Sequence, residues 1–190
     1  MARTNHPKIV SIIDTKTKKE IFTSSLGNLS LAGWEAFQDP TYTTISPLGL
    51  VEGVETRVIF PAENTMTFPQ FTRRPTKGAK VYPLWDFDNN VFVSYKDNRL
   101  NVYDVRLQFS ARTSTAATGV AVESIIRIPN GISILRESEP LNKGTQSQRV
   151  SYRLSFYVDE TTEVDGLELY LEAIGADVDI YNINLLIKSW

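Results

Sequence analysis

Every second residue is apolar over long stretches of the C-terminal half, and this alternation restricts the chain to strands with one buried face. Between Val150 and Val158 the apolar set is Val150, Tyr152, Leu154, Phe156 and Val158. Ser151, Arg153 and Ser155 fall between them, with Tyr157 completing the other face. Tyr103, Val105, Leu107 and Phe109 alternate with Asp104, Arg106, Gln108 and Ser110, and Val120, Val122, Ile126 and Ile128 repeat the period. Leu167, Leu169 and Leu171 alternate with Glu168, Tyr170 and Glu172. The last stretch carries Val178 and Ile180, then Tyr181, Ile183, Leu185 and Ile187. Its parity steps between Ile180 and Tyr181, which predicts a bulge or a sharp bend there.

The connectors agree. Asn130-Gly131 separates Ile125–Ile128 from Ile132–Leu135, a hairpin signal because both residues tolerate positive φ. Pro140 to Gly144 and Asp165-Gly166 punctuate the next two joins. Helical spacing is nearly absent. About six to eight short strands with such turns predict an all-β antiparallel sandwich, most simply a jelly roll. The sandwich is expected at residues 80–190, from Lys80-Val81-Tyr82 onward.

Residues 1–79 read as an extended, mostly irregular or β N-terminal arm. Ile9 to Asp14 and Glu20 to Thr23 form a hairpin candidate with a basic tip holding Lys16, Lys18 and Lys19. Leu26 to Phe37 fits a turn or two of helix, with Leu31, Trp34 and Phe37 on one side and Pro40 as its stop. Tyr42 to Phe71 is rich in Thr, Pro and Gly, with one alternating run at Thr56–Phe60, so it is expected to lie extended on something larger. Arg73-Arg74-Pro75-Thr76-Lys77-Gly78 reads as the linker into the sandwich.

Composition removes most chemistry. There is no cysteine, so thiol nucleophiles, disulfides and zinc–thiolate sites are out. The single histidine, His6, stands beside Pro7, and a Ser-His-Asp arrangement has no interior imidazole to use. No Gly-rich phosphate loop or dinucleotide fingerprint occurs. A net charge of -2 gives no basic field for nucleic acid, and Arg73-Arg74 is a short patch without interleaved aromatics. No apolar run reaches the length of a membrane helix. The first residues have a positive start but no apolar core of a signal peptide, so synthesis in a cytosol is expected.

What remains is charge and aromatics. The acids Asp159, Glu160, Glu163 and Asp165 are either a solvated turn, half of a carboxylate pair, or a loose calcium loop. Val164 stands where the helix-loop-helix calcium motif needs glycine, so no metal site is assigned. From Leu154 to Ile187 there are eight acids and no Lys or Arg, whereas Met1 to Ser30 holds five bases against Asp14 and Glu20. This asymmetry is either registration between subunits or ordinary solubility charge. Trp85 is either a sugar-stacking platform or a core plug. Trp34 and Phe37 are either anchors for a partner or local packing. Tyr157, Tyr170 and the terminal Trp190 are interface candidates because they bring aromatic surface to late strands.

The stretches Leu100-Asn-Val-Tyr-Asp-Val-Arg-Leu-Gln-Phe and Val178-Asp-Ile-Tyr-Asn-Ile-Asn-Leu-Leu-Ile-Lys resemble the jelly-roll domains of tailed-bacteriophage virion proteins. Those are head decoration or cement proteins, head-fibre knobs and fibre tips of tumour-necrosis-factor-like topology, commonly trimers. The resemblance covers residues 80–190 and is one of pattern. It implies a non-enzymatic virion structural protein without cofactor, made in the host cytoplasm and located on the virion. Its implied partners are itself, as a homotrimer, and the major capsid protein or other virion subunits. Nucleic acid and membrane are not among them. The candidate contact residues are Lys16, Lys18, Lys19, Trp34, Phe37, Arg73, Arg74, Tyr157, Tyr170 and Trp190. No heptad stalk or repeated shaft appears, which favours decoration over tail fibre. The competing class is a receptor-binding protein that takes a host surface glycan, and fold alone does not choose between them.

Overall fold

The computed structural model describes residues 33–61, 83–93, 101–113, 115–129, 131–158 and 166–189, and the backbone of short strands at 9–13, 20–25, 66–67, 76–77 and 80–81. The first strands are β1 (Ile9–Ile13), β2 (Glu20–Ser25), β3 (Gly33–Asp39), β4 (Leu48–Leu50), β5 (Thr56–Arg57), β6 (Met66–Thr67), β7 (Thr76–Lys77) and β8 (Lys80–Val81). They are followed by β9 (Trp85–Asp86), β10 (Val91–Phe92), β11 (Asn101–Thr113), β12 (Ala121–Arg127), β13 (Ser133–Pro140), β14 (Gln148–Val158), β15 (Glu168–Ile174) and β16 (Val178–Ser189). The described residues contain no helix.

Two antiparallel sheets carry the fold. In one, β14, β11, β16, β3 and β6 lie side by side and β4 adds a sixth strand on β16; in the other the order is β13, β12, β15, β5. The pairing is nested: β3 meets β16, β5 meets β15, β11 meets β14, and β12 meets β13. A long antiparallel hairpin rolled up on itself produces this nesting, which is the jelly roll expected from the alternation. Alternation also sets what goes inside. Tyr103, Val105, Leu107 and Phe109 of β11 meet Tyr152, Leu154 and Phe156 of β14 and Leu185 and Ile187 of β16 in one core. The opposing sheet contributes Val122, Ile126, Leu169 and Leu171.

The parity step in the last strand is a bulge. Gln108 pairs with Asn184 but Ser110 pairs with Tyr181, so β16 spends one more residue than β11 across this stretch. Asn182 absorbs the step at φ 54°, in the left-handed region that Asn tolerates. Gly166, at the join before β15, has φ 72°, and a Cβ there would stand 2.7 Å from the Phe92 carbonyl oxygen. Only glycine fits that position. The join between β12 and β13 closes where Gly131 N–H donates to the Ile128 carbonyl at 2.9 Å, while Asn130 lies outside the described residues.

Two expectations change. The segment ending at Phe37 is a strand: β3 pairs with β16 from Gly33↔Ser189 to Asp39↔Ile183. A three-residue spacing of Trp34 and Phe37 mimics a helix face, but the ladder offered by β16 overrides that local signal. Pro40 still ends the element, and Asp39 Oδ1 accepts the Thr41 N–H at 2.8 Å to turn the chain. The second change concerns organisation. β3, β4 and β5 belong to the two sheets, and Phe37, Leu50, Val58 and Phe60 sit in the common core. A boundary between residues 79 and 80 therefore does not separate the sheets. The described part of Tyr42–Phe71, residues 42–61 and β6, runs along the two sheets and adds β4, β5 and β6 to them. The expected linker carries a ladder in which Thr76 pairs with Val81.

A buried carboxylate fixes β3 further. Glu35 is fully buried, and its Oε2 accepts the Leu84 N–H at 2.9 Å, tying the segment before β9 to the inner side of β3. Trp85 then packs edge-on against Phe60 and Phe92 at 5.6 and 4.8 Å, as a core plug and with no exposed face for a sugar.

Two outcomes follow. A chain beginning at Gly33 should unfold cooperatively by circular dichroism, whereas one beginning at Lys80, which lacks β3, β4 and β5, should give no thermal transition. The phenols give a pH signature. Burial pushes the Tyr103 and Tyr152 hydroxyls well above the usual phenol range, and Tyr152 donates to the Val122 carbonyl at 2.5 Å. Each is kept neutral in the fold and ionises more readily when unfolded. Their contribution is whole below about pH 10 and is lost as pH rises beyond it. Urea midpoints should fall as pH rises above about 10, less so when both tyrosines are replaced by Phe.

Candidate assembly surface

Each sheet turns one face outward, and the two faces differ in kind. On the four-stranded sheet the outward positions of β12, β13 and β15, with the residues around β5, carry Glu55, Arg57, Glu123, Arg127, Arg136, Glu168, Tyr170 and Glu172. Most of these charges are paired with one another, although Arg57 Nε and Arg127 Nε are buried without a hydrogen-bond partner. Arg57 meets Glu168 at 3.0 Å, and Arg127 meets Glu55 at 2.5 Å. Arg136 reaches Glu123 at 2.5 Å, Glu172 at 3.4 Å and also Glu55. Tyr170 donates to Glu168 at 2.9 Å and lies under the Arg127 guanidinium, 4.2 Å from its ring centre. Burial, then the Glu168 carboxylate that takes its hydroxyl proton in hydrogen bonding, raises the Tyr170 phenol above its ordinary value. The hydrogen bond to Glu123 raises the Arg136 guanidinium further. Beneath this lattice Ile125 is buried on the outer side of its strand. A lattice of shared ions costs less side-chain entropy per pair than isolated pairs and holds the short strand β5 to its sheet.

The outer face of the six-stranded sheet has no such closure. β14 and β11 present the cross-strand pair Tyr157 and Val102, which are 61% and 41% exposed. Two strands away, Trp34 of β3 is 37% exposed opposite Lys188 of β16, and Ala36 pairs with Leu186. Trp34, Ala36, Leu186 and Lys188 line a shallow groove of about 550 Å³. A smaller hollow of about 200 Å³ adjoins it, sharing Ala36 and Leu186 and bordered by Arg106, Gln108 and Asn184. Between groove and tyrosine, Asp104 accepts Arg153 at 3.3 Å.

The structure sorts the sequence candidates accordingly. Trp34 and Tyr157 share the open face. Phe37, three residues after Trp34, has the opposite parity and is buried in the core of its own subunit, which corrects its reading as a partner anchor. Tyr170 is on the other sheet, engaged by Arg127 and Glu168. Lys16, Lys18, Lys19, Arg73, Arg74 and Trp190 lie outside the described residues, as do Asp159, Glu160, Glu163 and Asp165. Of the acidic stretch, Glu168 and Glu172 meet arginines of the same subunit, Asp179 meets Arg112 at 3.1 Å, and Asp177 accepts the Glu52 N–H at 2.8 Å. These four acids therefore serve intramolecular order. Sequence reading missed Ala36, Leu186 and Lys188, which become a groove only when β3 lies beside β16. Among the described residues no group of His, Cys, Asp and Glu is arranged to hold a metal ion.

No family model matches the chain, and no curated protein matches it. Solved structures do. The Eiger tumour necrosis factor of S. frugiperda shares 9% identity over 84% of this chain and 92% of that one, at a TM-score of 0.46. The PRD1 vertex protein P5 shares 13% over 98% and 84%, at 0.42. The structure of infectious bursal disease virus, Gx strain, shares 8% over 96% of this chain and 37% of that one, at 0.38. The fold assignment rests on the nested strand pairing of the chain itself.

Replacing Arg127 by Ala removes a guanidinium that bridges Glu55, Glu168 and the Tyr170 ring. The expected loss is roughly 1–2 kcal/mol at low salt, shrinking in about 1 M NaCl. Urea titration at the two ionic strengths measures it.

Proposed function

We propose that the chain is a non-enzymatic structural subunit of a bacteriophage virion, a trimeric capsid decoration (cement) or head-fibre protein anchored by its N-terminal segment. The observation that supports this is the contrast between the two outer faces. Paired charges cover the middle of the four-stranded face, with Ile134 and Ile174 exposed at its ends, while on the other side Trp34, Val102 and Tyr157 leave apolar area uncovered around the groove between β3 and β16. Self-association through that face fits a subunit that builds a particle. The anchoring role falls to residues 1–32, where β1 pairs with β2 and the intervening residues include Lys16, Lys18 and Lys19. Their partners in this reading are the major capsid protein or a neighbouring virion subunit.

The competing role, recognition of host surface carbohydrate, loses its best platform with Trp85 inside the core. Light scattering on the full chain should give three chain masses. A chain lacking residues 1–32 should keep its melting temperature but fail to bind particles stripped of the protein. Specific binding on a glycan array, with no binding to such particles, would replace this reading by the carbohydrate one.

A further inference from the structure

The open face carries a protruding aromatic at one side and a groove at the other, and within one subunit the two are out of reach of each other. Tyr157 on β14 is separated from β3 by β11 and β16. Three strand spacings make about 14 Å. We infer that Tyr157 of one copy seats in the groove formed by Trp34, Ala36, Leu186 and Lys188 of the next copy, so that identical contacts run head to tail around a rotation axis. The inference rests on the self-association proposed above and names the contact that produces it.

Three observations lead to a second copy as the occupant. The groove walls are apolar, from Trp34, Ala36 and Leu186, and match a phenol ring with Val102 beside it. The electrostatics are complementary: Lys188 at the rim offers an ammonium to the electron-rich face of a tyrosine ring. Asp104, the cross-strand partner of Lys188 on β11, is engaged by Arg153, and Lys188 lines the groove. Finally, knob and groove occupy different places on one face. A two-fold axis would make this contact reciprocal, each Tyr157 in the other copy's groove, whereas around the three-fold axis of the trimer proposed above the same contact runs head to tail and closes into a ring. The four-stranded face, with its arginines and glutamates already paired, stays outside that ring.

The chain has no cysteine, so engineered thiols report only the contact they are placed to test. A double variant Tyr157→Cys, Ala36→Cys cannot bridge within one subunit, because a disulfide needs Cα atoms within about 7 Å. Mild oxidation of this variant should produce a closed covalent ring on a non-reducing gel, and mixing the two single variants should produce the mixed dimer. Tyr157→Ala should weaken association by about tenfold or more, as loss of an aromatic anchor does, and Tyr157→Phe should restore most of it. Position 157 is exposed, and an unchanged melting curve confirms that each variant folds. Ring formation with loss of association in Tyr157→Ala establishes the contact. If the wild type associates but the double variant gives no cross-link, or Tyr157→Cys alone bridges to itself, the contact is wrong and self-association survives. If the wild type sediments as a monomer at about 100 μM, far above the Kd of a specific interface, both fail.

Discussion

Seven consecutive residue pairs between β3 and β16, from Gly33↔Ser189 to Asp39↔Ile183, hold the roll closed. They join the outermost pair of the nested hairpin, so every inner pairing is enclosed by them. The ladder decides three further things at once. It turns Phe37 into the core and Trp34 outward, because strand parity leaves no other choice. It carries Glu35 to the inner side, where the carboxylate is matched to the Leu84 N–H and draws the segment before Trp85 into the core. It also lays Ala36 beside Leu186, which creates the groove of the outer face. A buried carboxylate is costly unless hydrogen-bonded, so the position of β3 and the course of the chain at Leu84 depend on each other.

The long strands were legible because they have one buried and one wet face, which writes a period of two into the sequence. β11, β14 and β16 each span more than ten residues, and the parity step in β16 pointed to the bulge at Asn182. The two- and three-residue strands were not legible. β4, β6 and β9 are too short to show a period, β5 shows only as the start of the alternating run Thr56–Phe60, and their pairing comes from the partner strand rather than from their own residues. β3 imitates a helix for a related reason: Trp34 and Phe37 at a spacing of three satisfy a helix template, and only β16 shows that they belong to opposite faces. The interface candidates were half legible. Exposed aromatics can be suspected from parity, as with Tyr157, but a groove is a property of two strands distant in sequence.

The ion lattice was illegible for the same reason, and it altered the meaning of the charge asymmetry. Read along the chain, the acids between Leu154 and Ile187 look like a surface waiting for a basic partner. Folded, Glu168 and Glu172 lie beside Arg57, Arg127 and Arg136, which come from β5, β12 and β13. The arginines that balance them are remote in sequence, so a window that counts charge along the chain sees only one side of each pair. Each exposed pair is worth little alone, but shared acceptors fix several side chains together.

The division of labour between the faces follows from where charge is placed on the pleat. In β12 and β15 the outward positions include Glu123, Arg127, Glu168, Tyr170 and Glu172 beside Ile125 and Ile174, so the face carries its own counter-charges. In β16 the bulge at Asn182 shifts the outward set, and beyond it the outward residues are Asn184, Leu186 and Lys188. One extra residue therefore does two things. It lets a single strand pair with β4 before the step and β3 after it, and it brings Leu186 rather than a core residue to the outer surface. Without the step, Ile183, Leu185 and Ile187 would face solvent and the six-stranded sheet would lose that part of its core. The groove on the outer face is thus a consequence of the same backbone irregularity that keeps the interior packed.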